Sequence, residues 1–352
     1  MKKLLVLLLA VSIVVGCGPE EDDAPGTPVT PDYIIAADGS FIPQVRTSGM
    51  VTKNAAGHPE DMLATLKNAG VNTTRLRLFK NPADGHSGFS EVKAFTQQIK
   101  DMGMKVWLTV HYSDTWADPA HQQKPAEWEG QNYAQLKTSV YNYTKQIVKE
   151  IAPDYIQIGN EINGGFIFPE GAYANMAQFK GLLAEGCRAV RENSSAKIML
   201  HYAGHEGAVD FYDNFTDLDY DYIGLSYYPM WHGKSLTALQ VNMDALFDTY
   251  QKPVVIAETS YPFTLGWNDF TNNIVGSQDQ ILPQYPATPQ GQKDYLLKLK
   301  EISMQHGLGF CYWGGEWISF KGAEATNGST YENQALWDFD AKALPAMGVF
   351  AN

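Results

Sequence analysis

From residue 33 to residue 350 the chain alternates short β-rich runs with longer helical ones, and it never sets two strong strands in immediate succession. That alternation implies βα units built around a parallel sheet. The β-rich runs fall at 33–38, 71–79, 104–111, 154–160, 197–202, 221–227, 253–258 and 308–313. Helical patterns lie between them at 58–69, 89–102, 131–151, 173–192, 206–214, 235–250 and 290–306, and a closing helix is expected at 341–350. Eight strands with eight interleaved helices predict the α/β class, as a single (β/α)8 TIM barrel rather than a doubly wound open sheet. A chain of 352 residues with 44% hydrophobic content can bury one large core, so one domain over 32–352 is expected. No glycine-rich phosphate loop of the Walker or Rossmann type is present, and no nucleotide cofactor is expected.

The first 31 residues do not belong to this pattern. Lys2 and Lys3 precede an apolar run, Leu4–Val15, that is too short to span a membrane and reads as a secretory signal over 1–16. It ends in Val14-Val15-Gly16-Cys17, which resembles the lipobox of bacterial lipoproteins. That resemblance implies cleavage before Cys17 and acylation of its thiol. Residues 18–31 combine four acids with four prolines and no core-forming residue, which predicts an extended tether. The acidic cluster resembles a surface-export tag of some Gram-negative lipoproteins, so a lipid anchor in the outer membrane, facing the cell surface, is expected. Cys187 and Cys311 are then the remaining thiols, and both are expected to be buried and free. The formal charge of −13 argues against nucleic acid or polyanionic glycans as ligands and favours a neutral one.

In such a barrel the chemistry gathers where strands end at their carboxyl side. The fourth β-rich run closes in Asn160-Glu161 followed by loop glycines, and the seventh closes in Glu258. Other strand ends contribute Arg75 and Arg77, His111, His201, Tyr227 and Trp313. A lone Glu after a strand is most simply a solvated loop residue. Two Glu with Arg, His, Asn and aromatics at neighbouring strand ends form a constellation. Two carboxylates facing each other across a barrel mouth suit glycoside hydrolysis, which needs one carboxyl protonated and one ionised. Asn160 beside Glu161 is neutral, whereas Arg75 or Arg77 would favour the ionised form of Glu258. His111 and His201 stand alone on separate strands, a poor basis for a catalytic metal.

The strand-end glutamates resemble those of the clan A retaining glycosidases. Within that clan the chain is similar to glycoside hydrolase family 53, the endo-β-1,4-galactanases. The stretches that carry the resemblance run in order over 37–350. They include Arg75–Pro82, His111–Pro119, Gln157–Ile162, Ser226–Pro229, Glu258–Pro262, 286–292 and Asn333–Asp338. His111-Tyr112-Ser113-Asp114-Thr115-Trp116-Ala117-Asp118-Pro119 is the most specific of them.

The resemblance implies Glu161 as acid/base and Glu258 as nucleophile of a retaining endo-hydrolase of β-1,4-galactan. Arg77, His111, Asp114, Trp116, Asn160, His201, Tyr227 and Trp313 are the expected substrate contacts, with Trp231 as a further candidate sugar platform. Asp114 and Asp118 also have a simpler reading as residues that shape their loop. Two alternatives remain open: another clan A endo-glycanase acting on mannan, glucan or arabinan, and a surface glycan-binding lipoprotein. Two departures stand out. Trp313 is followed by Gly314-Gly315-Glu316 where the family often has Trp-Glu-Pro. The loop Leu265–Asn273, where bacterial members commonly bind a structural calcium, has one Asp and no His, so calcium is not expected. A monomer with a polysaccharide substrate and no cofactor is the resulting expectation.

Overall fold

The computed structural model describes residues 33–305 and 307–351. The expected signal segment, Cys17 and the expected tether lie outside the described residues. Eight parallel strands close into a barrel in sequence order: β1 (Ile34–Asp38), β2 (Thr73–Leu78), β3 (Lys105–Val110), β4 (Tyr155–Ile158), β5 (Lys197–Ala203), β6 (Tyr222–Ser226), β7 (Val254–Thr259) and β8 (Gly307–Tyr312). Closure is made by β1 against β8, with Ile34 opposite Gly309 and Ala37 opposite Tyr312. Gly309 has φ 125°, and a Cβ there would lie 2.0 Å from the Ile34 carbonyl oxygen, so the closing contact itself requires glycine.

Alternation along each strand divides the apolar residues into two bodies. Ile34, Ala36, Trp107, Tyr155, Met199, Val255, Ala257 and Cys311 form one cluster, the filling of the barrel. Their neighbours Ile35, Leu76, Leu108, Ile156, Ile198, Ile223, Ile256 and Phe310 belong to the larger cluster shared with the helices. Cys187 and Cys311 are both buried and free.

The main crossovers are α2 (Met62–Ala69), α3 (Phe89–Asp101), α4 (Tyr133–Glu150), α5 (Met176–Asn193), α6 (Ala208–Tyr212), α8 (Leu236–Tyr250) and α9 (Pro289–Gln305). Asp61 caps α2 by accepting from the Leu63 amide, and Asn132 and Gln135 form a capping box on α4. Two short helices do not follow from the sequence pattern. These are α1 (Ile42–Ser48), which carries a proline in its first turn, and α7 (Pro229–His232). Both are too short to show a helical period. The expected closing helix at 341–350 is instead a 3-10 turn, Pro345–Val349, because Pro345 starts the element and Ala341 has a left-handed φ of 55°.

Candidate active site

A cleft of about 570 Å³ opens at the carboxyl ends of the strands. Arg75, Arg77, His111, Trp116, Asn160, Glu161, Tyr228, Trp231, Glu258, Trp313 and Tyr331 are among the residues that line it.

Glu161 enters from the turn after β4 with a left-handed backbone, φ 46° and ψ 59°. Gly159 just before it, at φ 81°, is held to glycine by the Ile162 side chain, 2.6 Å from where a Cβ would sit. Gln122 secures this turn by donating from Nε2 to the carbonyls of Asn160 at 2.7 Å and Glu161 at 3.3 Å. Glu258 needs a different device. Val255 and Ala257 face the barrel interior, so strict alternation would turn residue 258 toward the helices. The β6–β7 register shifts between Leu225 and Ser226, and the β7–β8 register shifts between Ile256 and Thr259. These irregularities bring the Glu258 carboxylate into the cleft, a use of β-bulges common beside active sites.

The two carboxyls have unequal partners. Glu258 Oε1 accepts from Arg75 Nη2 at 2.7 Å and Oε2 accepts from the Tyr228 hydroxyl at 2.9 Å. The Arg75 guanidinium is buried and also reaches Asp38 Oδ2 at 3.4 Å and Asn160 Oδ1 at 3.1 Å. Glu161 has one side-chain donor, the Ser226 hydroxyl, 2.5 Å from Oε1. Burial, and next the charge of Glu258, push the Glu161 carboxyl up to about 8. Burial also raises Glu258, while the Arg75 charge and the two donors oppose it. Of the two carboxyls, Glu161 is therefore the one that holds a proton more tightly.

His111 is buried, and its Nδ1 accepts from the Ala117 amide at 2.9 Å. Burial, reinforced by Arg75 and Arg77, holds this imidazole well below its usual range. It is neutral, with Nε2–H left as the donor. Arg77 packs its guanidinium over Phe41 at 4.0 Å and Trp116 at 4.5 Å, with Nε and Nη1 lacking partners. Trp313 meets Tyr331 edge-on at 4.5 Å, and Trp317 stacks on Phe41 at 4.1 Å, so an aromatic wall flanks the carboxyls.

Three expected substrate contacts are placed elsewhere. Tyr227 is buried among the helices and donates to the Gly233 carbonyl at 2.9 Å. Its neighbour Tyr228 reaches Glu258 instead, because Ser226 and Tyr228 share the inward parity of β6. Asp114 is not among the lining residues, and its two oxygens accept from the Asn81 amide at 2.9 Å and the Ala126 amide at 2.8 Å, tying the loop after β3 to the segment after β2. His201 is fully buried beneath Glu161 and does not line the cleft. Between the two arginines, Arg75 is the one paired with Glu258. Tyr331 and Trp317 arise in the segment after β8, where no periodic pattern marks them.

The loop after β7 holds more oxygen ligands than its own sequence suggests. No group of three or more His, Cys, Asp or Glu side chains gathers among the described residues. Asp269 Oδ2, Asn273 Oδ1 and Glu332 Oε2 are nevertheless buried without hydrogen-bond partners. Glu332 joins the loop from the segment after β8, with Oε1 accepting from the Asn268 amide at 2.6 Å and Asn273 Nδ2 at 3.4 Å. Two carboxylates and an amide oxygen without donors fit a hard cation such as calcium.

The model of glycosyl hydrolase family 53 matches residues 34–350. An endo-beta-1,4-galactanase of Bacillus subtilis is 34% identical over 91% of this chain and 85% of its own length. An arabinogalactan endo-beta-1,4-galactanase of Cellvibrio japonicus is 32% identical over 98% of this chain and 96% of its own. Among solved structures, the Ignisphaera aggregans GH53 catalytic domain superposes with a TM-score of 0.85 at 38% identity, covering 93% of this chain and 97% of that one. With a family match over nearly the whole barrel and a cleft built around two carboxyls, the chain belongs to glycosyl hydrolase family 53 and is a glycoside hydrolase.

Proposed function

We propose that this hydrolase cleaves internal linkages of β-1,4-galactan with retention of configuration, using Glu258 as nucleophile and Glu161 as acid/base. The observation that carries the assignment is the unequal setting of the two carboxyls. Glu258, held by the Arg75 guanidinium and the Tyr228 hydroxyl, is kept ionised and oriented. Glu161, with one hydroxyl donor and a buried environment, retains a proton. In the first step a Glu258 oxygen attacks the anomeric carbon while the glycosidic C–O bond breaks and the Glu161 proton passes to the departing oxygen. In the second, the Glu161 carboxylate removes a proton from water, whose oxygen displaces Glu258 from the same carbon. Trp116, Trp231 and Trp313 line the cleft and would offer apolar faces to sugar rings, and His111 and Asn160, which also line it, would hold the ring at the point of cleavage.

Galactan as substrate is supported by the names of the relatives from Bacillus subtilis and Cellvibrio japonicus. The fold and the Glu pair serve other β-glycans equally well. A polysaccharide panel with product chromatography separates these readings. Debranched galactan should yield short galacto-oligosaccharides with a rapid fall in viscosity, whereas turnover of mannan or glucan alone would overturn the substrate and leave the chemistry standing. Glu161→Gln and Glu258→Gln should each lower kcat by roughly three orders of magnitude or more.

Two further readings accompany this one. Cys17 is proposed as a lipidation site that tethers the enzyme to the envelope through the 18–31 segment. Cys17→Ala should move the protein from the membrane fraction to the soluble one; a mutant that stays membrane-bound with unchanged mass would refute the anchor. Calcium is proposed as a structural ion held by Asp269, Asn273 and Glu332, where it would neutralise buried charge and tie the loop after β7 to the segment after β8.

A further inference from the structure

We propose that Ser226, backed by His201 and Gln157, is a positioning residue that reserves Glu161 Oε1 as the hydrogen-bond acceptor and thereby assigns the transferable proton to Oε2. The inference rests on Glu161 being the acid/base, as proposed above. Its basis is a hydrogen-bond chain whose direction follows from the Glu161 backbone amide, a group that can only donate.

The chain begins at Gln157 in β4. Its Nε2 lies 3.1 Å from the Gly159 carbonyl, a pure acceptor, which sets the orientation of the amide. Thr109 in β3 donates to the amide's other end, Oε1, at 3.2 Å. So oriented, Gln157 Nε2 also faces His201 Nδ1 at 2.9 Å, and the Glu161 amide points at the same nitrogen from 3.3 Å. The Glu161 amide can only donate, so Nδ1 accepts and carries no hydrogen. Asn160 Oδ1 also lies 3.2 Å from this nitrogen, and it accepts from Arg75 Nη2 at 3.1 Å. The neutral ring must hold its hydrogen on Nε2, 2.9 Å from Ser226 Oγ. Having accepted there, the Ser226 hydroxyl donates onward to Glu161 Oε1 at 2.5 Å.

A second protonation of His201 would reverse none of this but would break the link from Gln157. Burial, then the positive charge of Arg75, keep that from occurring. With Oε1 occupied by a donor in both states of the carboxyl, the proton is left to Oε2. The titratable and charged groups around Glu161 are Glu258, Arg75, Asp118, Tyr228 and Tyr331, with His201 against its backbone amide. Ser226 is the only side chain among the described residues that donates a hydrogen bond to it. Because a donor favours the ionised form, removing it raises the pH at which Glu161 loses its proton.

The test is a carbon-13 NMR titration of the full chain labelled at the Glu side-chain carboxyl carbons, with Glu161 assigned by the signal missing from Glu161→Gln. In Ser226→Ala the upper titration step should move up by about one pH unit, the scale of a lost charge-assisted bond. Ser226→Thr, which keeps the hydroxyl, should leave the step in place, and Ser226→Cys, a weak donor of similar size, should shift it upward. The alkaline limb of kcat/KM on galactan should move with the titration, while kcat falls roughly ten- to a hundred-fold. An unmoved titration in folded Ser226→Ala or Ser226→Cys would overturn the proposal. The titration needs no substrate, so a wild-type chain inactive on galactan would defeat the functional reading without touching this result.

Discussion

Glu161 and Glu258 carry the same carboxyl group and differ in what donates to it. A guanidinium at 2.7 Å and a phenol at 2.9 Å hold one, and a single serine holds the other. The asymmetry has a consequence for stability. The Glu161 pKa rises from 4.5 in the unfolded chain to about 8 in the fold, so the folded state binds a proton that the unfolded state releases. Its contribution is fully present below pH 4.5 and is lost as pH climbs through about 8. Glu161→Gln, which cannot ionise, should therefore be more stable than the wild type at pH 8, on the order of 1–3 kcal/mol, with the difference vanishing at pH 4. Thermal denaturation of both proteins across this range checks the sign. A mutant less stable than wild type at pH 8 would mean that the buried carboxyl is not under the strain described.

At the scale of elements, the strand order and the strand ends were legible because a parallel barrel repeats one rule, an apolar run that stops at a polar residue. Glu161 and Glu258 could be found by that rule. Tyr227 could not be told from Tyr228, since the choice depends on side-chain parity at the end of β6, and the register shift beside it has no signature in composition. The helix α1 and the turn at Pro345–Val349 were hidden for another reason: at seven and five residues they are shorter than the window a period needs. Glu332 was invisible as a partner of the β7 loop because it lies 59 positions from Asn273. That pairing carries its own prediction. If calcium bridges Asp269, Asn273 and Glu332, millimolar calcium should raise the melting temperature by several degrees over a chelator-treated sample, and Glu332→Gln should abolish the difference. Identical melting in both conditions would show that the orphaned oxygens are satisfied without a cation.

For the molecule as a whole, the barrel makes the two carboxyls one catalytic unit. β4 and β7 sit apart in the ring, and only closure of β1 on β8 brings their carboxyl ends to face the same cleft. An acidic surface, at −13 overall, is compatible with a neutral polymer approaching that cleft. In the proposed reaction Glu258 attacks the sugar itself rather than activating a water. Proton NMR during the first minutes of galactan hydrolysis tests it most directly, by reading the anomer released before mutarotation mixes the two. With Glu258 as nucleophile the β-anomer appears first, and early appearance of the α-anomer would rule that role out.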